Sequence, residues 1–468
     1  MRCLRHRGRS GTAAGVPPAR RTQAVTGTLL QIGRSGAHAA RAALDTSAHN
    51  IANSATPGYT RRAARLSVAP AGLNPARGPI AGGGVTVAGV SQPETRFLRA
   101  ETRRADTALA RAAAELDGLL SGEAALQRAG LSASLDRFEA SLAKLASAPL
   151  EPALRLEVLE RAGAVAAGFN AAHGHLATAG DEHALRIEEG VAAANGLAAS
   201  LGELNLRLSR SQPESAAKAT LLDQRDALLA RLVPLTGATV RLDAVGRAVV
   251  QLGDGGPLLL GPAGAAALRV ERQSDGAMRF LAGAADAPGV GGELAGREQA
   301  RSHLARAVTA LDDAARQLAG IVNTAQAGGA TPSGSAGAPL FSGEDAATLA
   351  VCLSDPDALA TAGAGAPVRS RDTRALDALR TALAHSGPAA AVDAIGAGLA
   401  ASIAARTGTR DLHAAFAQSA HEALGDIAGI DLDAEAASLL RFQQLFQASG
   451  KVMQTAARVF DSLLEIGR

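Results

Sequence analysis

The residues of this 468-residue chain that come closest to a metal pair by type and spacing are His173 and His175. They fall in a stretch predicted to be helical, where positions two apart point to different sides, so one ion cannot hold both and they read as surface histidines. Asp431-Leu432-Asp433-Ala434-Glu435 has the alternating acids that open a calcium loop. It lacks the glycine at the sixth position and the terminal Glu, so these acids fit a helix N-terminus, where they meet its dipole. Gly82 to Gly84 is followed by no Lys-Ser/Thr and is not a phosphate loop. Asp223, Arg225 and Asp226 read as local helix pairs. Cys3 and Cys352 make neither a disulfide framework nor a metal cluster, and they leave the redox compartment open. No catalytic, cofactor-binding or metal residue is assigned from these groups, and no cofactor is expected. The chain reads as a non-enzyme.

Tyr59 is the single tyrosine, and it stands in the most informative loop, Asn50-Ile51-Ala52-Asn53-Ser54-Ala55-Thr56-Pro57-Gly58-Tyr59-Thr60-Arg61-Arg62. Asn53 is expected to end a helix in the left-handed conformation. Thr56-Pro57-Gly58-Tyr59 places Pro and Gly at the centre of a type II turn. The chain then returns as a strand with Leu66 and Val68 on one face. Val85, Val87 and Val90 follow the glycine cluster in a second extended run. By its residues alone Tyr59 packs its ring after the turn.

That loop must be positioned by the helix before it, and the helix by a partner. Leu30, Ala37, Leu44 and Ile51 repeat every seven residues, with Gly33, Ala40 and Ser47 interleaved. At the other end of the chain, Asp433 to Ile466 carries Leu439, Phe446, Met453 and Phe460 at the same interval, with Phe442, Ser449, Ala456 and Leu463 in the companion row. Small residues on the first stripe admit large ones on the second, so the two termini are predicted to pair as a coiled coil. Burial of four large side chains falls short of the entropy lost in ordering such segments, which predicts termini loosely ordered in a free monomer and locked only against neighbours.

Between the ends, no proline interrupts Pro152 to Pro213. Ile187, Ala194, Leu201 and Leu208 keep a seven-residue spacing beside Val191, Ala198 and Asn205, the mark of long rods packed side by side. Near Gly237 the period changes to two. Thr239–Leu242, Ala248–Leu252, Pro257–Leu260, Leu268–Val270 and Met278–Leu281 read as strands separated by turns such as Ser274-Asp275-Gly276. Gly291-Gly292 closes that stretch, and helix resumes from Glu293 to about Gln326 before a Gly/Ser-rich linker, Gly328 to Ala338. Asp372 to Ala428 is again helical, broken at Gly387-Pro388. The fold class is mainly α: long helical rods and a terminal coiled coil, with a small inserted antiparallel β domain.

Charge is uneven. Residues 1–24 hold six arginines and no acid, so the remaining chain has 41 basic against 44 acidic residues, a balance of −3. The body shows no basic face interleaved with stacking aromatics, so nucleic acid is not expected as a partner. The uncharged stretch Ala162–Gly180 contains Asn170, His173, His175 and four glycines and would insert poorly into a bilayer, so no membrane partner is expected. The basic start lacks an apolar core, Gly11 to Ala19 being broken by Gly15, Pro17 and Pro18, so any export would read no cleaved signal. Residues 1–24 are expected to be a disordered basic tail that follows a mis-assigned upstream start, with Val25 opening the native segment.

The block NIANSATPGYTRR resembles the N-terminal signature of bacterial flagellar axial proteins, and its GYTR form with GGGVTVAGV is similar to the hook-filament junction family, the first of the hook-associated proteins. Gly429 to Ile466, GIDLDAEAASLLRFQQLFQASGKVMQTAARVFDSLLEI, resembles that family's C-terminal block. LNLRLSR with LLDQRDALLARL, and GGELAGREQARSHL with VNTAQ, resemble internal segments in the same order. The chain departs from the pattern at Gln92 to Arg96, at Ala434 and at Gly450, a mid-helix glycine costing about 1 kcal/mol against alanine.

The resemblance implies a structural subunit forming the junction between hook and filament, located outside the cell in the flagellum. It implies export by the type III apparatus and self-assembly. Further partners would be the hook protein, the next hook-associated protein or the flagellin side, and an export chaperone on the C-terminal helix. It marks Asn50, Asn53, Pro57, Gly58, Tyr59 and Arg61 as an assembly motif. The terminal seam would be Leu30, Leu44, Ile51, Leu439, Phe442, Phe446, Met453, Phe460 and Leu463. The rivals are another axial protein, such as a hook or rod subunit, and a secreted hydrolase. The domains expected are 1–24, the tail; 25–93, the N-terminal axial helix and extended segment; 94–236 and 293–428, the two parts of a long-helix domain; 237–292, the β insertion; and 429–468, the C-terminal axial helix.

Overall fold

Alanine-rich stretches with few prolines become rods, and the glycine and β-branched clusters between them become short strands. A computed structural model describes residues 18–69, 73–74, 78–79, 83–274 and 276–466. In chain order they form α1 (Pro18–Ala52), β1 (Ala63–Val68), β2 (Leu73–Asn74), β3 (Gly78–Pro79), β4 (Val85–Ser91), α2 (Arg96–Ala129), α3 (Leu131–Ser147), α4 (Pro152–Arg210) and α5 (Ala216–Thr236). Next come β5 (Thr239–Leu242), β6 (Ala248–Gln251), β7 (Leu258–Gly261), β8 (Gly264–Ala265), β9 (Leu268–Arg272), β10 (Met278–Ala282), β11 (Ala285–Asp286) and α6 (Gly292–Ala327). The chain finishes with β12 (Gly329–Ala330), β13 (Phe341–Ser342), β14 (Ala350–Val351), β15 (Ala362–Gly363), α7 (Arg374–Ser386), α8 (Pro388–Ala428) and α9 (Leu432–Ile466). Long helices dominate and every ladder is antiparallel, so the chain is mainly α with small antiparallel sheets.

Two compact units result. One consists of Met1–Arg96, Leu206–Ala227 and Ala423–Arg468, the other of Phe97–Asn205 and Leu228–Glu422.

In the larger unit the core is a continuous cluster of Leu, Ala, Val and Phe from α2, α3, α4, α6, α7 and the loops after α6, with Phe138 and Phe341 edge to face at 6.2 Å. Proline at the first position of α4 fits a place where the missing N–H has no helical partner. Along α4, Ile187, Val191, Ala194, Ala198 and Leu201 are all buried, so the seven-residue stripe marks the packed face.

Arg155 is fully buried and donates from Nε to Pro356 O at 2.9 Å, from Nη1 to Pro149 O at 2.6 Å and from Nη2 to Leu359 O. Its planar fork satisfies the Pro149 and Leu359 carbonyls and adds a second donor to Pro356 O, which also accepts Leu359 N. Burial pulls the Arg155 pKa down, with Asp357 and Asp355 opposing.

One device recurs along these rods: an amide side chain pairs with loop or strand backbone as another strand would. Asn195 Nδ2 donates to Leu268 O and its Oδ1 accepts from Leu268 N, both at 2.8 Å, and Asn205 does the same with Ala248. The strands after α5 form two sheets rather than one, β5-β6-β7-β8 and β9-β10-β11. They leave and return through a backbone-to-backbone crossing: Gly291 N donates to Thr236 O, and a Cβ on Gly237, whose φ is +66°, would come within 2.4 Å of Gly291 Cα.

The same device overturns the expected linker at Gly328–Ala338. Asn323 Nδ2 donates to Phe341 O at 2.8 Å while its Oδ1 accepts from Leu340 N and Phe341 N, and Gln326 Oε1 accepts from Ala360 N. With β12 paired to β15 and Leu340, Phe341 and Ala346 buried, the stretch is tied to the core and does not behave as a free Gly/Ser chain.

In the smaller unit α1 and α9 run antiparallel. A Cβ on Gly33 would meet Met453 Cγ at 2.7 Å, and one on Gly36 would meet Ser449 Oγ at 2.8 Å, so the order reverses between the two helices. The paired terminal helices of the expected fold class are present. Beside them β1 and β4 form a ladder with Leu66 opposite Val87 and a slip between Arg65 and Leu66. Helix begins at Pro18, so residues 18–24 of the expected tail are the start of α1, as their Ala, Arg and Gln favour. Residues 1–17 lie outside the described residues, as do Gly82 and Asp275 of the turns expected there. Among the described residues one helical stretch, within Arg374–Ser462 and not at Ala162–Gly180, is long and apolar enough to cross a membrane by length and composition alone. Alanine, abundant in α8, counts toward that apolar composition.

Candidate functional site

Asn50 lies in the last turn of α1 and is fully buried. Its Nδ2 donates to Arg62 O at 2.8 Å, and its Oδ1 accepts both Tyr59 OH and Arg62 N at 3.0 Å. One amide therefore holds the end of the helix against the chain that returns twelve residues later. Between these points Tyr59 N donates to Thr56 O at 3.2 Å and Gly58 has φ +78°, which is the type II turn expected for Pro57-Gly58. Asn53 departs from expectation. The non-glycine residues with positive φ among those described are Glu214 and Arg369. Asn53 instead donates from Nδ2 to His49 O at 2.8 Å and accepts Thr56 Oγ1, so its side chain, not a left-handed backbone, satisfies the helix end.

Two arginines extend this knot. The Arg62 guanidinium lies 4.7 Å from the centre of the Tyr59 ring, and its Nη2 donates to Asp223 Oδ2 at 2.9 Å and to Thr220 Oγ1 at 3.1 Å. Gln92 Nε2 takes the other Asp223 oxygen at 2.8 Å. Asp223 is thus an anchor for the loop rather than a local helix pair, while Arg225 and Asp226 pair with each other. Burial pushes the Tyr59 phenol above its ordinary value, with Arg62 opposing and Asp223 and Glu435 adding to it.

Arg61 Nε donates to Glu435 Oε1 at 2.7 Å, and Glu435 is buried to 1% exposure in the first turn of α9. Arg61 N donates to Ala428 O. Asp431 caps α9, its Oδ1 accepting from Asp433 N at 2.9 Å and Ala434 N at 3.1 Å. The acids read as a helix start divide their labour: one caps the helix and another receives an arginine from the loop.

Of the residues expected to carry assembly, Asn50, Tyr59 and Arg61 converge on this knot, Asn53 borders it, and Pro57 and Gly58 form its exposed turn. Arg62, Gln92, Asp223, Asp431 and Glu435 belong to it although no part in assembly was assigned to them. The doubled arginine after the tyrosine, and a carboxylate one helical turn past a capping Asp, were the available signals.

On the helices, Leu44, Ile51, Leu439, Phe442 and Met453 are half-buried, and Ala39, Ala40, Ala43, Ser47 and Ala456 are buried between them. Leu30 is exposed, and Phe446 and Phe460 keep 43% and 42% of their surface open. The Leu463 side chain lies outside the described residues. Leu445, Val452 and Val459, on the other flank of the buried row, are also exposed at a seven-residue interval. The apolar arc of α9 is wider than the strip α1 covers, because the small residues of α1 seat one row and leave the rows beside it open.

Residues 113–341 match the family model described as the flagellar hook-associated protein FlgK helical domain, and residues 30–60 match that of the flagella basal body rod protein. Flagellar hook-associated protein 1 of Salmonella typhimurium is 30% identical over 242 residues, covering 50% of this chain and 43% of that protein. The proteins of the same name from Escherichia coli and Bacillus subtilis are 27% and 28% identical, covering 50% and 46% of this chain and 43% and 44% of their own lengths. The chain spans less than half the length of these curated relatives. Among solved structures, the flagellar hook junction protein FlgK from Burkholderia pseudomallei aligns with a TM-score of 0.43 and 21% identity over 52% of this chain and 46% of that one.

Proposed function

We propose, for a chain that belongs to the family of flagellar hook-associated protein 1, that it is a non-enzymatic structural subunit of the bacterial flagellum, built into the junction between hook and filament by its terminal helices. The observation that carries this reading is the apolar arc of α9 left open beside α1, with Phe446, Phe460, Leu445, Val452 and Val459 at heptad intervals. An arc of that width takes helices on both flanks, and neighbouring copies supply them. The knot of Asn50, Tyr59, Arg61, Arg62, Asp223 and Glu435 fixes how the loop leaves α1, and so sets the face each copy presents. Pro57 and Gly58 form the exposed tip of that face, with Asn53 at its base.

In this reading the chain leaves the cell through the flagellar type III apparatus without a cleaved signal, and an export chaperone covers the α9 arc until assembly. The hook protein lies on one side of the assembled junction and the next hook-associated protein or flagellin on the other. Terminal segments that order fully only in company make polymerisation a disorder-to-order step. Removal of 433–468 tests this. The expected product is a soluble, folded body that fails to restore motility in a strain lacking the protein; restored motility, or global loss of helix by circular dichroism, refutes it.

A further inference from the structure

We propose that the larger unit carries an anion-binding site of its own: a cleft of about 680 Å³ between α2, α8 and the start of α6 that takes an oxyanion ligand with closely spaced charges. Arg103, Arg104 and Arg111 line one wall and Arg406 and His413 the other, against a single lining carboxylate, Glu115. With His413 neutral the lining carries four positive charges and one negative. That negative charge is already satisfied. Glu115 is buried, receives Arg406 Nε at 2.9 Å and meets His303 Nε2 at 3.2 Å. Arg306 Nη2 donates to His303 Nδ1 at 2.9 Å, which places the ring proton on Nε2, facing Glu115.

The consequence lies in what is left over. Arg406 meets Glu115 through its Nε, an ion pair that orients the guanidinium along the cleft wall, where its terminal fork suits an oxyanion. Across the cleft, Arg104 has the exposed Glu101 at 3.7 Å, a weak surface pair. Arg111 meets no carboxylate among the described residues. Alanines of α2 with Val233 and Val240 line part of the remaining wall, and Thr107, Thr409 and Gln299 add neutral polar groups to it. The shared ligand chemistry is the oxyanion, and its source is a phosphate compound or a run of glutamates in a peptide. Every lining residue belongs to the larger unit.

The test is calorimetric titration of the full chain with inorganic pyrophosphate and, separately, with hexaglutamate, at low and at high salt. Binding of one probe that weakens with salt and falls about tenfold or more in Arg104→Ala and in Arg111→Ala supports the site, and the tighter probe identifies the source. Absence of binding by both probes, or binding untouched by these two surface substitutions, overturns it. Protection of Arg111 from phenylglyoxal by the bound probe in the unmodified chain is a second readout that needs no variant; modification of Arg111 at the same rate with and without probe also overturns it.

Discussion

Replacing Phe446 and Phe460 together by alanine reads assembly and folding side by side, because both rings are half open in the single chain. A phenylalanine presents roughly 200 Å², so the 43% and 42% left open amount to about 85 Å² each. At about 25 cal/mol per Å², covering both in an assembled wall contributes about 4 kcal/mol per copy. Alanine retains a little of that, so the pair should lower the association constant by several hundredfold to about a thousandfold. The roughly 115 Å² of each ring already covered in the single chain is lost as well, so the isolated chain should itself be destabilised by about 4 kcal/mol. The assay is sedimentation of polymer against total concentration, with circular dichroism melting of dilute protein as control. If the double variant polymerises at the concentration that suffices for the parent, α9 does not use this arc and the assembly reading fails. If its dilute melting drops by several degrees with assembly intact, the rings belong to the chain's own core.

Three further outcomes follow from the geometry. Arg155→Met should destabilise the larger unit by about 3 kcal/mol or more in urea unfolding, since the Pro149 and Leu359 carbonyls lose a buried donor and Pro356 O loses one of two; a smaller effect would mean that water replaces the guanidinium. His183 is buried, with a pKa depressed below 6.5 chiefly by burial, and Asp117, Arg297, Arg186 and Glu182 are the charges around it. The folded state therefore binds its proton less readily than the unfolded, so stability is full above 6.5, falls as pH drops below it and levels under the folded pKa. Urea midpoints measured across that window should show the fall, and His183→Leu should reduce it; an unchanged slope would assign it to other groups. Tyr59, the single tyrosine, should ionise above 10.0 in near-ultraviolet titration of the native protein and return to the ordinary value in denaturant.

Periodicity alone determined most of the architecture. The seven-residue rows in α4 are its buried face, the change of period near Gly237 opens the strands, and Pro57-Gly58 at the centre of a four-residue turn selects a type II geometry. Each of these is a local property, carried by residues within a turn or two of one another. Only the tertiary structure decided what the polar residues do. Arg61 meets Glu435 across 374 positions and Arg62 meets Asp223 across 161, and no spacing rule joins such partners. The same holds for Asn323, whose amide turns an apparent linker into part of the core, and for Asn53, whose side chain does what a left-handed backbone was expected to do. Apolar patterns are legible in one dimension because burial requires only a face. Hydrogen-bond partners are not, because an amide or a guanidinium is satisfied by whichever backbone or carboxylate the finished fold brings within 3 Å.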